Sequence, residues 1–182
     1  MCIRDRLGPA YAAGFDRALA DGAEIIIEMD ADFSHDPADL PRLIAAVDDG
    51  ADLAIGSRYV PGGSTPDWPL LRRIISRGGN LYSRIMLGTA IRDSTAGFRA
   101  FRSDALRQLP YDKAEASGYG FQVEMAWIAE REGMRIVEIP IAFHDRAHGT
   151  SKMGSDIVRE AMTLVTSWGL KRWKRRLAFW KK

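Results

Sequence analysis

The stretch "AEIIIEMDADFSHDPADLPRLIAAVDDGADLAIGSRYV", residues 23–60, decides the fold. Its apolar runs flank one amphipathic segment, and this pattern predicts three elements: a strand over 23–30, a helix over 36–50 and a strand over 51–60. Asp36 is the expected N-cap, Pro37 suits the first helical position and Gly50 suits the stop. A strand–helix–strand unit of this kind predicts an α/β fold.

The same alternation continues on both sides of this stretch. Upstream, Tyr11, Phe15, Ala18 and Leu19 share one face of a predicted helix. The full set of further predictions is a helix over 8–22, a loop over 61–69, a helix over about 70–87, a loop from 93 into a short strand ending at 101, a helix over 120–133, a strand over 134–143, a polar loop over 144–155 and a helix to the end.

The composition is that of a soluble globular domain. The chain has 182 residues, of which 46% are hydrophobic and 27% charged, with a net charge of +2. Its single cysteine excludes an internal disulfide and favours a reducing compartment. No run approaches the roughly 18 apolar residues that a membrane-spanning helix needs.

An acidic pair follows the first predicted strand. Asp30 is expected at the end of the strand and Asp32 in the turn after it. Residues at i and i+2 of an extended segment point the same way, and ligands of open α/β sheets bind at the carboxyl ends of strands. Two such carboxylates favour Mg²⁺ or Mn²⁺ together with phosphate oxygens. A turn that only caps the next helix is the alternative, and it suits Asp36 best.

Basic and hydroxyl side chains occur in three other segments. They are Arg58 after the second strand, Arg72 and Ser76 four apart on one helix face, and Arg146, Ser151 and Lys152 in the loop after another strand. Arginine binds phosphate through two parallel hydrogen bonds, although an arginine that only caps a strand is also common. Together with the acidic pair, they suggest a site for two phosphorylated molecules, one bridged by metal and one held by arginine.

Seven stretches in order resemble the dolichol-phosphate mannose synthases, especially the actinobacterial polyprenol monophosphomannose synthases. They are "LGPAYAAGF", "DADFSHDP", "GSRYVPGG", "RRIISRGGN", "DSTAGFRAF", "GYGFQVEM" and "FHDRAHGTSKMG". The resemblance covers about residues 7–168 and implies glycosyltransferase family 2, with an α/β, Rossmann-like GT-A fold. It further implies inverting transfer of mannose from GDP-mannose to a polyprenyl phosphate.

The resemblance assigns roles to single residues. Asp30 and Asp32 match the D-x-D that binds the metal and the donor diphosphate, and Ser34 replaces the glutamine that reaches the metal in many members. Arg58, Arg72, Ser76 and Arg146 match acceptor-phosphate positions, and Asp32, Arg58 and Arg146 are the expected catalytic residues. The expected donor and sugar region comprises Asp93, Thr95, Gly97, Phe98, Arg99, Gln122, Glu124 and Lys152.

The resemblance also predicts how the chain is divided. Family members begin with a strand, a helix and a second strand, which the pattern of this chain lacks. The expectation is therefore a partial catalytic domain over 7–168, preceded by an unrelated start over 1–6 and followed by a basic aromatic tail over 169–182. An inactive fragment is one alternative that this expectation raises.

The tail suggests where the protein works. The last dozen residues, "KRWKRRLAFWKK", carry seven Lys or Arg and no acidic residue. Tryptophan interleaved with basic residues is typical of a helix at an anionic membrane surface. The expected location is peripheral, at the cytoplasmic face, with a membrane-protein partner possible in this family and no nucleic-acid partner.

Two other functions stay open from the sequence. One is a family 2 transferase that uses another nucleotide sugar, such as UDP-glucose, on the same lipid phosphate. The other is a nucleic-acid-binding α/β module led by the basic tail, although carboxylates near its groove would repel phosphates unless a metal intervened.

Overall fold

A computed structural model of the chain describes residues 7–116, 118, 120–145 and 155–179. For residues 7, 155–157 and 175–179 it describes the backbone only. The helices are α1 (Leu7–Ala20), α2 (Leu40–Asp48), α3 (Leu70–Leu87), α4 (Ser103–Gln108), α5 (Gly120–Arg131) and α6 (Ser155–Phe179). The strands are β1 (Ile25–Glu28), β2 (Leu53–Ser57), β3 (Arg99–Arg102) and β4 (Ile136–Pro140). Short 3-10 turns occupy Pro37–Asp39 and Tyr111–Lys113.

The predicted elements are present, with shorter strands than expected. Strand β1 ends at Glu28, so the prediction that Asp30 ends the strand is wrong by two residues. Asp36 is the predicted N-cap, and its side chain accepts a hydrogen bond from the backbone N–H of Ala38. The helix α4 was not expected, because it is only six residues long and too short to show an amphipathic period.

The four strands form one mixed sheet in the order β1-β3-β2-β4. Strand β3 runs antiparallel to both of its neighbours, while β2 and β4 are parallel. The chain passes from β1 through α2 to β2, which is not adjacent to β1 in the sheet. The position between these two strands is occupied by β3, which comes later in the sequence. The strand–helix–strand pattern of the sequence does not reveal this reversed strand.

Helices cover both faces of the sheet. On one face, Phe15 of α1 and Met125 of α5 belong to the same buried cluster as Leu53 and Phe101. On the other face, Leu43 and Val47 of α2 pack with strand residues in a second cluster, which also includes Ala54, Phe98, Ala100 and Ile141. All five residues of β2 are buried, which explains its uninterrupted apolar sequence.

A third cluster joins α6 to the body. Trp127 of α5 stacks on Trp168 of α6 with ring centroids 5.7 Å apart. Leu87 at the end of α3 and Val165 of α6 are buried in the same cluster. Among the helices within the described ranges, none is long and apolar enough to cross a membrane.

Candidate functional site

Four loops meet at one edge of the sheet because of the strand directions. The chain leaves β1, β2 and β4 at their carboxyl ends, and it enters the antiparallel β3 at that same edge. The loops are 29–36, 58–69, 93–98 and 141–145. Most of the residues singled out in the sequence lie on these loops, at the edge where open α/β sheets bind their ligands.

Asp30 lies in the first of these loops, half-exposed. Its Oδ2 is 3.8 Å from Nε2 of His35. The loop before β3 runs close by, because a Cβ placed on Gly97 would lie 3.7 Å from the same Oδ2. The structure therefore places Asp30, a predicted metal ligand, next to Gly97, which the resemblance assigns to the sugar region.

Asp32 is held in a tight turn. The backbone N–H and the hydroxyl of Ser34 both donate to Asp32 Oδ1, at 3.1 and 2.5 Å. Between them, Phe33 has a φ of 64° and an exposed ring, an uncommon conformation for a bulky side chain. Ser34 therefore orients the Asp32 carboxylate, a contact that its place in the family motif does not suggest.

The carboxylates of Asp30 and Asp32 fit a divalent metal ion that is coordinated partly by a bound ligand. Within the described residues, no three His, Cys, Asp or Glu side chains are grouped closely enough to hold a metal by themselves. Asp30 and Asp32 offer hard oxygen atoms on one short loop. Mg²⁺ is commonly bound by one or two carboxylates together with substrate phosphates. Asp30 and Asp32 therefore suit an ion that also binds substrate phosphate better than an ion that is held by protein ligands alone.

Arg58 is engaged by Asp93. Its Nε and Nη2 donate to the two oxygens of Asp93 at 2.7 and 2.6 Å, and Nη2 also donates to Thr95. Both charged side chains are almost fully buried. Although burial opposes it, the charge of Asp93 raises the pKa of Arg58, which stays a cation. Asp93 already occupies Nε and Nη2 of Arg58. Arg58 is therefore better placed to support the loop 93–98 than to bind a phosphate through two hydrogen bonds.

A polar network extends from this ion pair to α3. The amide of Asn80 donates to Thr95 Oγ1 at 3.1 Å, and its carbonyl oxygen accepts from Ser94 Oγ at 3.1 Å. Asn80 is buried although it lies on a helix that is largely exposed. The network therefore fixes α3 against the loop that precedes β3.

Arg72 is the most accessible of the predicted phosphate-binding arginines that the structure describes. Its guanidinium lies over the ring of Trp68, 3.9 Å from the centroid, and its Nη1 donates to Asp145 at 3.0 Å. On the same helix, Ser76 Oγ accepts a hydrogen bond of 2.6 Å from the hydroxyl of Tyr59. Arg146, Ser151 and Lys152 lie outside the described residues.

Arg99 and Gln122 are interior residues. Arg99 is fully buried, donates to the carbonyls of Ala96 and Ser94, and lies 3.6 Å from Glu28 Oε1. Burial raises the pKa of Glu28 to about 7, against the opposing effects of the Arg99 charge and of Gln122. These side chains lie behind the site, so any effect of Arg99 or Gln122 on a bound sugar is indirect.

Glu124 is on a different side of α5 from Gln122. Positions two apart on a helix are about 200° apart. The Glu124 carboxylate accepts hydrogen bonds from the backbone N–H groups of Glu115 and Ala116, and burial raises its pKa. It lines a pocket of about 610 Å³ that also includes Trp127 and Trp168. These contacts give Glu124 a structural role, and they turn it towards α6.

The sequence did not single out Tyr59, Trp68 or Phe143, three aromatic residues of the site. Trp68 packs edge-on against Phe143 at 5.4 Å, and the Arg58 guanidinium lies 5.4 Å from each of these two rings. Tyr59 and Trp68 both lie close to predicted phosphate-binding residues. A tryptophan and a tyrosine in a loop rich in proline and glycine were the only available signal.

The family model described as "Glycosyl transferase family 2" matches residues 3–109. The undecaprenyl-phosphate mannosyltransferase of Micrococcus luteus is 54% identical, over 94% of this chain and 70% of its own length. The polyprenol monophosphomannose synthase of Mycolicibacterium smegmatis is 49% identical, over 91% of this chain and 62% of its own length. The chain thus spans about two thirds of these relatives.

Solved structures show the same fold. Glucosyl-3-phosphoglycerate synthase from Mycobacterium tuberculosis, solved with Mn²⁺, UDP-glucose and glycerol 3-phosphate, matches with a TM-score of 0.60 at 19% identity. The match covers 94% of this chain and 56% of that one. This likeness confirms the expected α/β, GT-A fold. With more than half of the chain matched by the family model and close relatives over nearly all of it, the chain belongs to glycosyltransferase family 2, and within it to the polyprenol-phosphate mannose synthases.

Proposed function

We propose that this protein transfers mannose from GDP-mannose to a polyprenyl phosphate, with inversion at the anomeric carbon. The names of the relatives supply the sugar and the acceptor class. The observation that carries the proposal is a helix, α3, on which an exposed apolar surface lies next to candidate phosphate ligands.

The apolar surface of α3 is extensive. Its side chains are between 54% and 71% exposed and comprise Leu70, Leu71, Ile74, Ile75, Leu81 and Ile85. Soluble monomers rarely expose such a contiguous apolar group unless it has a binding role. A lipid acceptor carries a long apolar chain, so a surface of this kind suits the edge of a bilayer.

The polar residues of α3 point to the head of that lipid. Arg72 and Ser76 lie on this helix, close to Trp68 and Tyr59 of the preceding loop. An arginine already oriented by a ring is well prepared to bind a phosphate. We propose that Arg72 holds the acceptor phosphate, that Ser76 assists it, and that Arg146 and Lys152 of the predicted loop 144–155, after β4, complete the phosphate site. The ion pair with Asp93 gives Arg58 a supporting role.

The acceptor needs no strong base. A phosphate monoester is already anionic near neutral pH and can attack the anomeric carbon once it is held in line. We propose that Asp30 and Asp32 bind Mg²⁺ or Mn²⁺, which neutralises charge on the departing diphosphate. The residues of the loop before β3, near Asp30, then border the donor sugar.

Membrane contact follows from α3 and the tail together. Trp173 of α6 is 44% exposed, and basic residues surround it in sequence. Cationic and aromatic side chains favour the anionic surface of a membrane. We propose peripheral attachment at the cytoplasmic face, through α3 and the tail, with a membrane protein as a possible further partner.

Transfer is tested with radiolabelled GDP-mannose and polyprenyl phosphate in liposomes. The 182-residue chain is assayed alone and also preceded by the N-terminal segment of the mycobacterial relative. We expect lipid-linked mannose at least from the extended form, and its loss in Asp32→Asn. Transfer from UDP-glucose instead would overturn the donor, and the absence of any sugar transfer would overturn the function.

Membrane contact is tested separately, by co-sedimentation with vesicles of anionic lipid. The double variant Leu71→Gln, Ile75→Gln should lose most binding, because it removes two neighbouring apolar side chains of α3. Ala13→Gln, on an exposed position of α1, should bind as the wild type does. Equal binding of the two variants would contradict a role for α3.

A further inference from the structure

His35 is a buried side chain without a hydrogen-bond partner. Its side chain is 2% exposed, and neither ring nitrogen forms a hydrogen bond within the described residues. Buried polar atoms are almost always satisfied, and an exception calls for a functional or structural reason. The ring is therefore either a cost to the fold or part of an arrangement that a small side-chain movement completes.

The position of the His35 ring is fixed by its surroundings. Phe98, before β3, lies 4.9 Å from it, and Phe143, after β4, lies 5.0 Å away. The backbone is also pinned, because the carbonyl of Ser34 accepts a hydrogen bond of 3.0 Å from the N–H of His144. The ring thus has three of the four site loops around it and little freedom to move.

The direction of the ring identifies its target. Nε2 lies 3.8 Å from Asp30 Oδ2, about 1 Å beyond hydrogen-bond distance. The Asp30 side chain is 40% exposed and has room to move, whereas the ring is enclosed. The gap can therefore close by a rotation of the Asp30 side chain rather than by a movement of the ring. Ser34 already holds the neighbouring Asp32 in this way.

We propose that His35 is a positioning residue: its Nε2–H donates to Oδ2 of Asp30 and fixes that carboxylate for the donor complex. The proposal rests on the proposed function, in which Asp30 and Asp32 bind the metal of the donor diphosphate. Side chains that hydrogen-bond to metal ligands orient them and strengthen binding. Ser34 and His35 would then hold one carboxylate each.

The hydrogen bond itself is tested by NMR without any metal. Long-range ¹H–¹⁵N spectra report which imidazole nitrogen carries the proton, and His35→Gln identifies the signals. We expect a proton on Nε2 whose resonance moves in Asp30→Asn but not in Asp36→Asn, a neighbouring carboxylate. A proton on Nδ1 alone, or a signal that ignores Asp30→Asn, would overturn the proposal.

The consequence for binding is tested with Mn²⁺ in the presence of GDP, by electron paramagnetic resonance of free Mn²⁺. His35→Phe keeps a ring but removes the donor, and we expect affinity to fall by about 10- to 100-fold. His35→Gln keeps an N–H donor and should lose less. If His35→Phe binds as the wild type does, the positioning role is wrong while the function stands. If the wild type itself does not bind, the proposed donor site fails, and the positioning role fails with it.

Discussion

At the scale of single residues, the most consequential contact is the buried pair of Arg58 and Asp93. Asp93 has no exposed surface and contacts Arg58 through both carboxylate oxygens. Removing one member of such a pair leaves an uncompensated buried charge. The two residues were predicted as substrate contacts. The ion pair between them could not be predicted, because a sequence pattern does not show which side chains are buried together.

Asp93→Asn should lower the free energy of unfolding by about 3–5 kcal/mol, because it leaves the Arg58 charge buried without its counter-ion. Urea denaturation measures the change. Asp145→Asn is the matched control, since its ion pair with Arg72 is partly exposed on both sides. That control should cost at most about 1 kcal/mol. Equal effects of the two substitutions would contradict the assigned difference in burial.

Glu28 should make stability depend on pH. Burial raises its pKa to about 7 in the folded chain from an ordinary value of 4.5, so the folded state binds the proton more tightly. The resulting stabilisation is present below about pH 4.5 and is lost as the pH rises through 7. Glu28→Gln removes this titration, and its stability relative to the wild type should increase between pH 4.5 and 7 by up to about 3 kcal/mol. The measurement is denaturation at several pH values. A difference in the free energy of unfolding between Glu28→Gln and the wild type that stays constant with pH would contradict this role of Glu28.

At the scale of elements, the bounds of α3 were well predicted, but its exposed apolar surface was not. Its bounds match the expectation of about 70–87, because the chain before it is rich in proline and Gly88 follows it with a φ of 65°. Its exposed apolar residues could not be recognised from the sequence. An amphipathic pattern shows that a helix has an apolar face, but only packing shows whether the protein covers that face.

Two glycines at α3 should respond to alanine in opposite ways. Gly78 lies inside the helix with open space around a prospective Cβ, so Gly78→Ala should stabilise the fold by up to about 1 kcal/mol. Gly88 is the left-handed C-cap, and Gly88→Ala should destabilise it by about 1 kcal/mol or more. Thermal unfolding of both variants checks the signs, and a shared sign would refute the assigned helix end.

At the scale of the whole molecule, the α/β class and the family were correctly predicted, because ordered motifs and alternating patterns extend along the chain. The assignments of single site residues stay predictions. Their contacts bring Asp30 and Gly97 together and place Arg72 with Ser76 on α3, but Arg99, Gln122 and Glu124 are turned inward or towards α6. Side chains on one short motif can therefore serve different parts of the structure.

The attachment of α6 should depend on Trp168. This residue is buried, stacks on Trp127 and donates its indole N–H to Glu115 at 2.9 Å. Trp168→Ala should cost about 3–5 kcal/mol and expose α6 to limited proteolysis. Trp168→Phe keeps a stacking ring and should cost about 1 kcal/mol for the lost hydrogen bond. Unchanged proteolysis of Trp168→Ala would show that α6 is held by other contacts.

The reversed strand β3 also bears on how the protein emerges from the ribosome. Within the described residues, both strands that pair with β2, namely β3 and β4, follow it in the chain. Residue 99 of β3 is made 42 residues after β2 ends at 57. At about 5–20 residues per second, this delay lasts roughly 2–8 s. During that interval the apolar segment of β2 is open to chaperones, and nascent-chain stability should rise sharply only after β3 has left the exit tunnel.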